Sequence, residues 1–195
     1  MRKVGVLFGM LLCVAASAVA QETGPQRFEA FAGYSYLRVN VDTTFLGGTG
    51  TQGVNFNGGN GELTYNFTNW LGAVADFGGY ATNSTASVFG VPITTNTNIL
   101  TYMFGPKVSF GGNSRLRPYS QVLFGGARIA DSLVGFGAEN AFAMAVGGGV
   151  DFNASEHLAI RPFQVEYFLT KFSDGNNNRQ NNLLVSTGIV FRFGR

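Results

Sequence analysis

The sequence is poor in the side chains that perform most enzyme and metal chemistry. Its 195 residues include one histidine and one cysteine, and only 12% of them are charged. Cys13 lies in an apolar N-terminal stretch that we expect to be removed, so the mature chain would have no disulfide and no thiol chemistry. His157 follows Glu156 in a short polar turn. We therefore predict that the protein is not an enzyme and has no cofactor or metal site.

The chain also lacks a strong charge of either sign. Its formal net charge is +2, from 13 Lys and Arg against 11 Asp and Glu. Without Arg2 and Lys3 the balance is 11 against 11, so the mature net charge is zero. There is no basic patch or recognition helix, which argues against a nucleic-acid partner. We also find no amphipathic helix of useful length.

The first 20 residues have the pattern of a secretory signal peptide. Arg2 and Lys3 form a positive beginning, residues 4–16 are apolar, and Ala18 and Ala20 form a small-residue cleavage site. The apolar run is too short for a transmembrane helix. We predict a cleaved signal peptide at 1–20, a short polar leader at 21–26 and one β-barrel domain at 27–195.

Apolar and small or polar residues alternate along most of this domain. Two consecutive runs show it best, at 142–152 and 158–169. Successive side chains of a strand point to opposite faces of a sheet. One face of these runs carries Phe, Met and Tyr, and the other carries Gly, Ala and carboxylates. A membrane barrel presents bulk to lipid and encloses small and polar groups, whereas a soluble lipocalin-like carrier, our alternative barrel, would hold its bulky face inside.

The alternation divides the domain into eight strands. Short turns follow the second, fourth and sixth strands, and long polar loops follow the first, third, fifth and seventh, at 40–59, 81–95, 130–140 and 171–181. An even number of antiparallel strands can close and leave no edge exposed to lipid. In the fifth run, Gln121 and Arg128 have opposite parity, so we expect a bulge or an early strand end. We predict an all-β, eight-stranded, antiparallel up-and-down transmembrane β-barrel.

The same parity predicts which charged residues line the lumen. Buried charges must be paired, and an eight-stranded barrel is just wide enough for side chains to fill it. We therefore expect a structural charge network in a filled, non-conducting lumen, with a narrow pore for small solutes as the alternative. We also expect Arg192 to pair with a carboxylate of this network. Its predicted members are Glu29, Glu62, Asp76, Lys107, Asp151, Glu166 and Arg192.

Several short motifs resemble those of the small OmpA-like outer-membrane barrels of Gram-negative bacteria. They cover nearly the whole mature chain: Trp70-Leu71-Gly72, Asp76-Phe77-Gly78-Gly79, Gly105-Pro106-Lys107, Arg117-Pro118-Tyr119, Gly125-Gly126-Ala127-Arg128, Gly147-Gly148-Gly149-Val150-Asp151, Arg161-Pro162-Phe163-Gln164 and Gly188-Ile189-Val190-Phe191-Arg192-Phe193. The resemblance implies a multi-pass protein of the outer membrane that contacts its lipid, without the peptidoglycan-binding domain of full-length OmpA.

The same resemblance implies a structural or surface-interaction role. The four long loops would meet any extracellular partner, because loops on rigid scaffolds carry function. Phe191 and Phe193 resemble the C-terminal aromatic signal that the outer-membrane assembly machinery reads, although Gly194 and Arg195 follow them. A lipid-modifying outer-membrane enzyme is a further alternative, but His157 lies in a turn predicted to be periplasmic, on the wrong side for chemistry in the outer leaflet.

Overall fold

The computed structural model describes most of the predicted domain. The described residues are 26–42, 51–88, 91–111, 114–131, 139–172 and 179–194. The predicted signal peptide and nearly all of the predicted leader lie outside them. No helix in this part of the chain is long and apolar enough to cross a membrane.

Eight strands account for nearly all of the described residues. Each strand pairs antiparallel with its neighbours in sequence, and the first also pairs with the last, so the sheet closes into a barrel. The predicted fold class is confirmed. The strands are β1 (Phe28–Asp42), β2 (Thr51–Asn66), β3 (Leu71–Val88), β4 (Val91–Ser109), β5 (Leu116–Asp131), β6 (Glu139–Asn153), β7 (Leu158–Thr170) and β8 (Gln180–Phe193).

Bulky apolar side chains cover the outside of the barrel. On β4, Tyr102 and Phe104 are exposed, while Thr101 and Met103 between them are buried. A single closed sheet buries side chains chiefly in its interior, so most of the buried side chains line the lumen. Large apolar groups exposed on every strand suit a lipid environment. A soluble carrier would have the opposite arrangement.

The two ends of the barrel differ in how the strands are connected. At one end, which we call the turn end, the connections are 67–70, 110–115 and 154–157. At the other, the hairpin end, they are 43–50, 89–90, 132–138 and 171–179. The predicted loop at 81–95 is wrong, because β3 and β4 stay paired from Leu71↔Val108 to Val88↔Val91. The loop predicted at 40–59 is likewise mostly strand, since β1 and β2 pair as far as Asp42↔Thr51.

The expected irregularity in the fifth strand is also absent. The β5–β6 ladder keeps one register from Leu116↔Phe152 to Ile129↔Glu139. Gln121 is buried and Arg128 is exposed on the outer face, so their opposite parity reflects two different environments. Arg128 lies near the hairpin end, where an outward charge can leave the apolar band.

The bulge is instead in β7. Relative to β6 the register shifts between Val150 and Phe152, and relative to β8 it shifts between Arg161 and Gln164. Both shifts insert one extra residue in β7. As a result Arg161 and Gln164 are both buried, although their numbers differ in parity. Leu169 is buried as well, and it does not share the exposure of the outward face predicted for this run.

Candidate functional site

The lumen contains all seven charged residues predicted to lie there. Glu29, Glu62, Asp76, Lys107, Asp151, Glu166 and Arg192 are each at most 6% exposed. They come from seven of the eight strands, all except β5. A charge buried in this way is costly unless it is paired and hydrogen-bonded. The contacts therefore decide what the group can do.

Glu29 on β1 is the meeting point of three cations. Its Oε2 lies 3.2 Å from Nζ of Lys107, and its Oε1 lies 2.6 Å from Nη1 of Arg117 and 3.2 Å from Nε of Arg192. Arg117 also donates to the backbone oxygen of Asn69 in a short turn. This cluster joins the first strand to β4, β5 and β8 across the lumen.

Arg161 on β7 is the centre of a second cluster and is 0% exposed. Its Nε lies 2.8 Å from Oδ1 of Asp151, and its Nη1 lies 2.7 Å from Oε2 of Glu62. The guanidinium also stacks against the rings of Phe31 and Tyr119, with its carbon 4.3 and 4.4 Å from their centroids. Such a planar, always charged group suits a buried, stacked position that a lysine would fill poorly.

Arg192 connects the two clusters. Its Nη2 lies 3.2 Å from Oδ2 of Asp151, while its Nε contacts Glu29. It also donates from Nη1 to the side chain of Asn153 at the turn end. We call the residues joined by these six ion pairs the lumen network: Glu29, Glu62, Lys107, Arg117, Asp151, Arg161 and Arg192.

Parity counting missed Arg161 and Arg117. Arg161 has the parity of the outward residues of its run, and only the bulge turns it inward. The available signal was Pro162, because a proline cannot donate to a ladder and within sheets is confined to edges, strand starts and bulges. Arg117 shares the parity of the buried Gln121, so regular alternation over the whole fifth run would have found it.

Asp76 and Glu166 belong to the lumen but not to the ion-paired network. Asp76 Oδ2 accepts from Asn60 Nδ2 at 2.8 Å, and Glu166 Oε1 accepts from Gln121 Nε2 at 2.9 Å. The same Gln121 nitrogen also donates to Glu62. These two carboxyls are thus held by amides and make no ion pair with a described residue.

Above the charged groups, toward the hairpin end, the lumen contains a layer of apolar side chains. On β1, Leu37 lies beyond Glu29; on β5, Leu123 lies beyond Gln121. Together with Met103, Phe168 and Leu184 on β4, β7 and β8 these buried side chains form one cluster, which we call the apolar layer. The lumen therefore holds a charged layer near the turn end and an apolar layer above it.

His157, which was considered for enzyme chemistry, lies outside the lumen network. His157 lies in the turn between β6 and β7, and its backbone oxygen accepts from the Arg192 backbone nitrogen at 2.9 Å. Within the described ranges no group of three or more His, Cys, Asp and Glu is arranged to hold a metal ion. Cys13 lies outside those ranges. What the lumen offers is a packed set of charged groups, most of them ion-paired, with Asp76 and Glu166 held by amides.

The predicted assembly signal lies at the turn end of β8. Phe191 is exposed on the outer face, and the ring of Phe193 stacks on Phe28 with centroids 5.7 Å apart. Gly194 then turns with a φ of 73°, a left-handed conformation that favours glycine, and its oxygen accepts from the Arg27 nitrogen. Hydrogen bonding between the first and last strands thus continues to the turn end of the barrel. Recognition of Phe191 and Phe193 by the assembly machinery stays a prediction.

The protein-family model of the outer membrane protein beta-barrel domain matches residues 5–193. The chain belongs to this family. Membership of it places the protein in the outer membrane, where its strands cross the bilayer. No curated protein matches the chain.

Solved structures share the fold of this outer-membrane barrel. Ail from Yersinia pestis, solved with the heparin analogue sucrose octasulfate, has 20% identity and a TM-score of 0.59, over 87% of this chain and 100% of that one. Neisserial surface protein A has 14% identity and a TM-score of 0.68, over 85% and 97%. OprG from Pseudomonas aeruginosa has 13% identity and a TM-score of 0.56, over 87% and 97%. At these identities the likeness concerns the fold alone.

Proposed function

We propose that this outer-membrane barrel acts as a surface-interaction protein with a lumen closed by side chains. The observation that carries the proposal is that two hairpins continue past the barrel wall at the hairpin end. The β3–β4 ladder runs to Val88↔Val91, but β2–β3 pairing ends at Asn57↔Ala81 and β4–β5 pairing ends at Thr97↔Asp131. Within the part of the chain that the structure describes, residues 82–88 and 91–96 therefore form a two-stranded ribbon that pairs with no other strand.

The composition and the open edge of the ribbon favour contact with other molecules. Its sequence between 82 and 96 has no charged residue and is rich in Thr, Ser and Asn. Strand edges usually carry charges, prolines or bulges that prevent pairing with another chain, and the β3 edge from 82 to 88 has neither charge nor proline. An extended peptide can add to such an edge through backbone hydrogen bonds. The β1–β2 hairpin offers a second, shorter extension.

The orientation follows from the connections. Outer-membrane barrels have short turns on the periplasmic side and their longer segments outside the cell. We therefore place the turn end in the periplasm and the ribbon outside. Ail, a barrel of this fold, was solved in complex with the heparin analogue sucrose octasulfate, which supports a surface role for this chain.

The filled lumen favours this role over a pore. The lumen network and the apolar layer occupy successive levels of the interior, and Arg161 and Leu123, one from each, are 0% exposed. A narrow pore for small solutes is the second candidate. Planar-bilayer recordings of the refolded protein separate the two: we expect no ion conductance above that of protein-free bilayers, whereas steady unitary currents would establish the pore.

The surface role is tested on whole cells that express the chain. A peptide tag inserted between residues 89 and 90 should be labelled on intact cells, and one inserted between 112 and 113 only after the outer membrane is opened. Cells with residues 83–96 replaced by an Asn-Gly turn should insert the barrel but lose adhesion to immobilised heparin or extracellular-matrix protein. Equal adhesion by the shortened variant, or reversed labelling, would refute the proposal.

A further inference from the structure

Four exposed cations lie around the hairpin end of the barrel. They are Arg38, Arg128, Lys171 and Arg179. Each lies 10 to 14 residues along the chain from the apolar residue at the turn end of the strand that contains or adjoins it. These apolar residues are Phe28, Leu116, Leu158 and Phe193. At about 3.3 Å per residue and a tilt near 40°, this spacing spans about 25–35 Å. The four cations therefore lie just past the apolar band, which is about 25 Å tall.

The other strands carry asparagine at the same level. Twelve residues from the turn-end positions Phe67, Leu71, Phe110 and Phe152, the outward residues are Asn55, Asn83, Asn98 and Asn140. Arg128 and Arg38 lie on β5 and β1, Lys171 directly follows β7, and Arg179 directly precedes β8. The strands β2 to β4 present only neutral amides, as does β6 with Asn140. The barrel thus has one cationic arc and one neutral arc around the same rim. Among side chains that the structure describes, neither arc has an outward carboxylate at this level.

Arg128 and Lys171 have surroundings suited to a lipid headgroup. Arg128 is paired across the sheet with Leu100 and Asn140, and two residues below it Gly126 lies between Tyr102 and Phe142. The backbone nitrogen of Lys171 donates to the backbone oxygen of Phe142 at 3.0 Å. The side-chain ammonium of Lys171 lies 5.8 Å from the centroid of the Phe142 ring. Neither cation is in an ion pair with another described residue. Aromatic girdles mark the membrane interface in barrels.

We propose that the cationic arc, centred on Arg128 and Lys171, binds the phosphate groups of an outer-leaflet glycolipid. Charge complementarity identifies this occupant, because phosphate lies at the interface, just beyond the acyl chains that the neighbouring aromatic residues contact. The guanidinium of Arg128 can bind phosphate through two hydrogen bonds, and Lys171 adds a point charge. The site is separate from the ribbon, so it is independent of the proposed surface role.

The test measures binding of diphosphoryl lipid A to the full barrel in nonionic detergent micelles, by native mass spectrometry. An anionic surface attracts each basic residue by about 1 kcal/mol, which is about fivefold in affinity. Arg128→Gln with Lys171→Gln should therefore weaken binding by roughly 25-fold. Arg115→Gln, an exposed arginine at the turn end, is the matched control and should change nothing. Gel mobility with and without heating confirms that each variant is folded.

Two further arms identify the ligand chemistry. Dephosphorylated lipid A should bind the wild-type barrel as weakly as the double variant binds the phosphorylated form. Asn83→Arg with Asn98→Arg should strengthen binding of diphosphoryl lipid A. Equal binding of both lipids, or no loss in the double variant, would overturn the proposal. The proposal would also be overturned if sucrose octasulfate, a soluble polyanion, bound at the cationic arc and diphosphoryl lipid A could not displace it.

Discussion

The two layers of the lumen solve the same packing problem in different ways. Near the turn end, arginines, a lysine and carboxylates fill the space, and every member of the lumen network depends on a partner from another strand. Near the hairpin end, Leu37, Met103 and Leu123 fill it with no polar partner. Apolar side chains contribute separately, through the surface that each buries. When one partner of a buried ion pair is removed, the other is left as an uncompensated buried charge, so the contributions of the two partners are not separate.

The largest expected effect in this comparison is that of Arg161→Met. This change leaves Asp151 and Glu62 without their shared cation in a buried place, so we expect a loss of about 3–5 kcal/mol in the free energy of unfolding. Urea titration of the protein refolded into lipid vesicles measures it. Adding Asp151→Asn and Glu62→Gln should recover part of the loss. A cost below about 1 kcal/mol would mean that water reaches these charges.

A smaller effect is expected in the apolar layer. Leu123→Ala removes a fully buried side chain and leaves a cavity, which typically costs about 2–4 kcal/mol. Val122→Ala, on the lipid side of the same strand, is the matched control and should cost less. Chemical denaturation under the same conditions compares the two. A larger loss for Val122 than for Leu123 would contradict the assignment of inner and outer faces.

Arg192→Met should cost less than Arg161→Met, although both arginines contact two carboxylates. After this change Glu29 keeps Lys107 and Arg117, and Asp151 keeps Arg161. We therefore expect a loss of about 1–3 kcal/mol. A double-mutant cycle with Glu29→Gln should give a non-additive coupling. Strict additivity would show that the 3.2 Å contact between Arg192 and Glu29 contributes nothing to stability.

The smallest expected effect concerns salt. Charges inside the barrel are poorly screened, so the cost of Arg161→Met should change by less than about 0.5 kcal/mol between 0.1 and 1 M NaCl. Binding of diphosphoryl lipid A by Arg128 and Lys171, which are exposed, should weaken strongly over the same range. Comparing the two salt dependences sharpens the contrast between buried and exposed charge. A strongly salt-dependent Arg161→Met penalty would place the lumen network in water.

Alternation was enough to predict the number of strands, the face that meets lipid and seven of the inward charges. It could not place the ends of the strands at the hairpin end. Outside the membrane a ribbon can be polar on both faces, so the Thr- and Asn-rich residues after Ala81 look like a loop although their backbone remains paired. Alternation also assumes a constant register, and the β7 bulge hid Arg161 for that reason.

The bulge also gives β7 one residue that it can lose. Pro162 and Phe163 both face outward, so deletion of Pro162 would restore strict alternation while Arg161 and Gln164 both stay in the lumen. We therefore expect the deletion variant to retain the heat-sensitive folded band after refolding, as Pro162→Ala should. Loss of the band in the deletion variant alone would show that the extra residue is needed to hold Arg161 in place. In this strand the chain can be shortened without moving a charge from the lumen into the lipid.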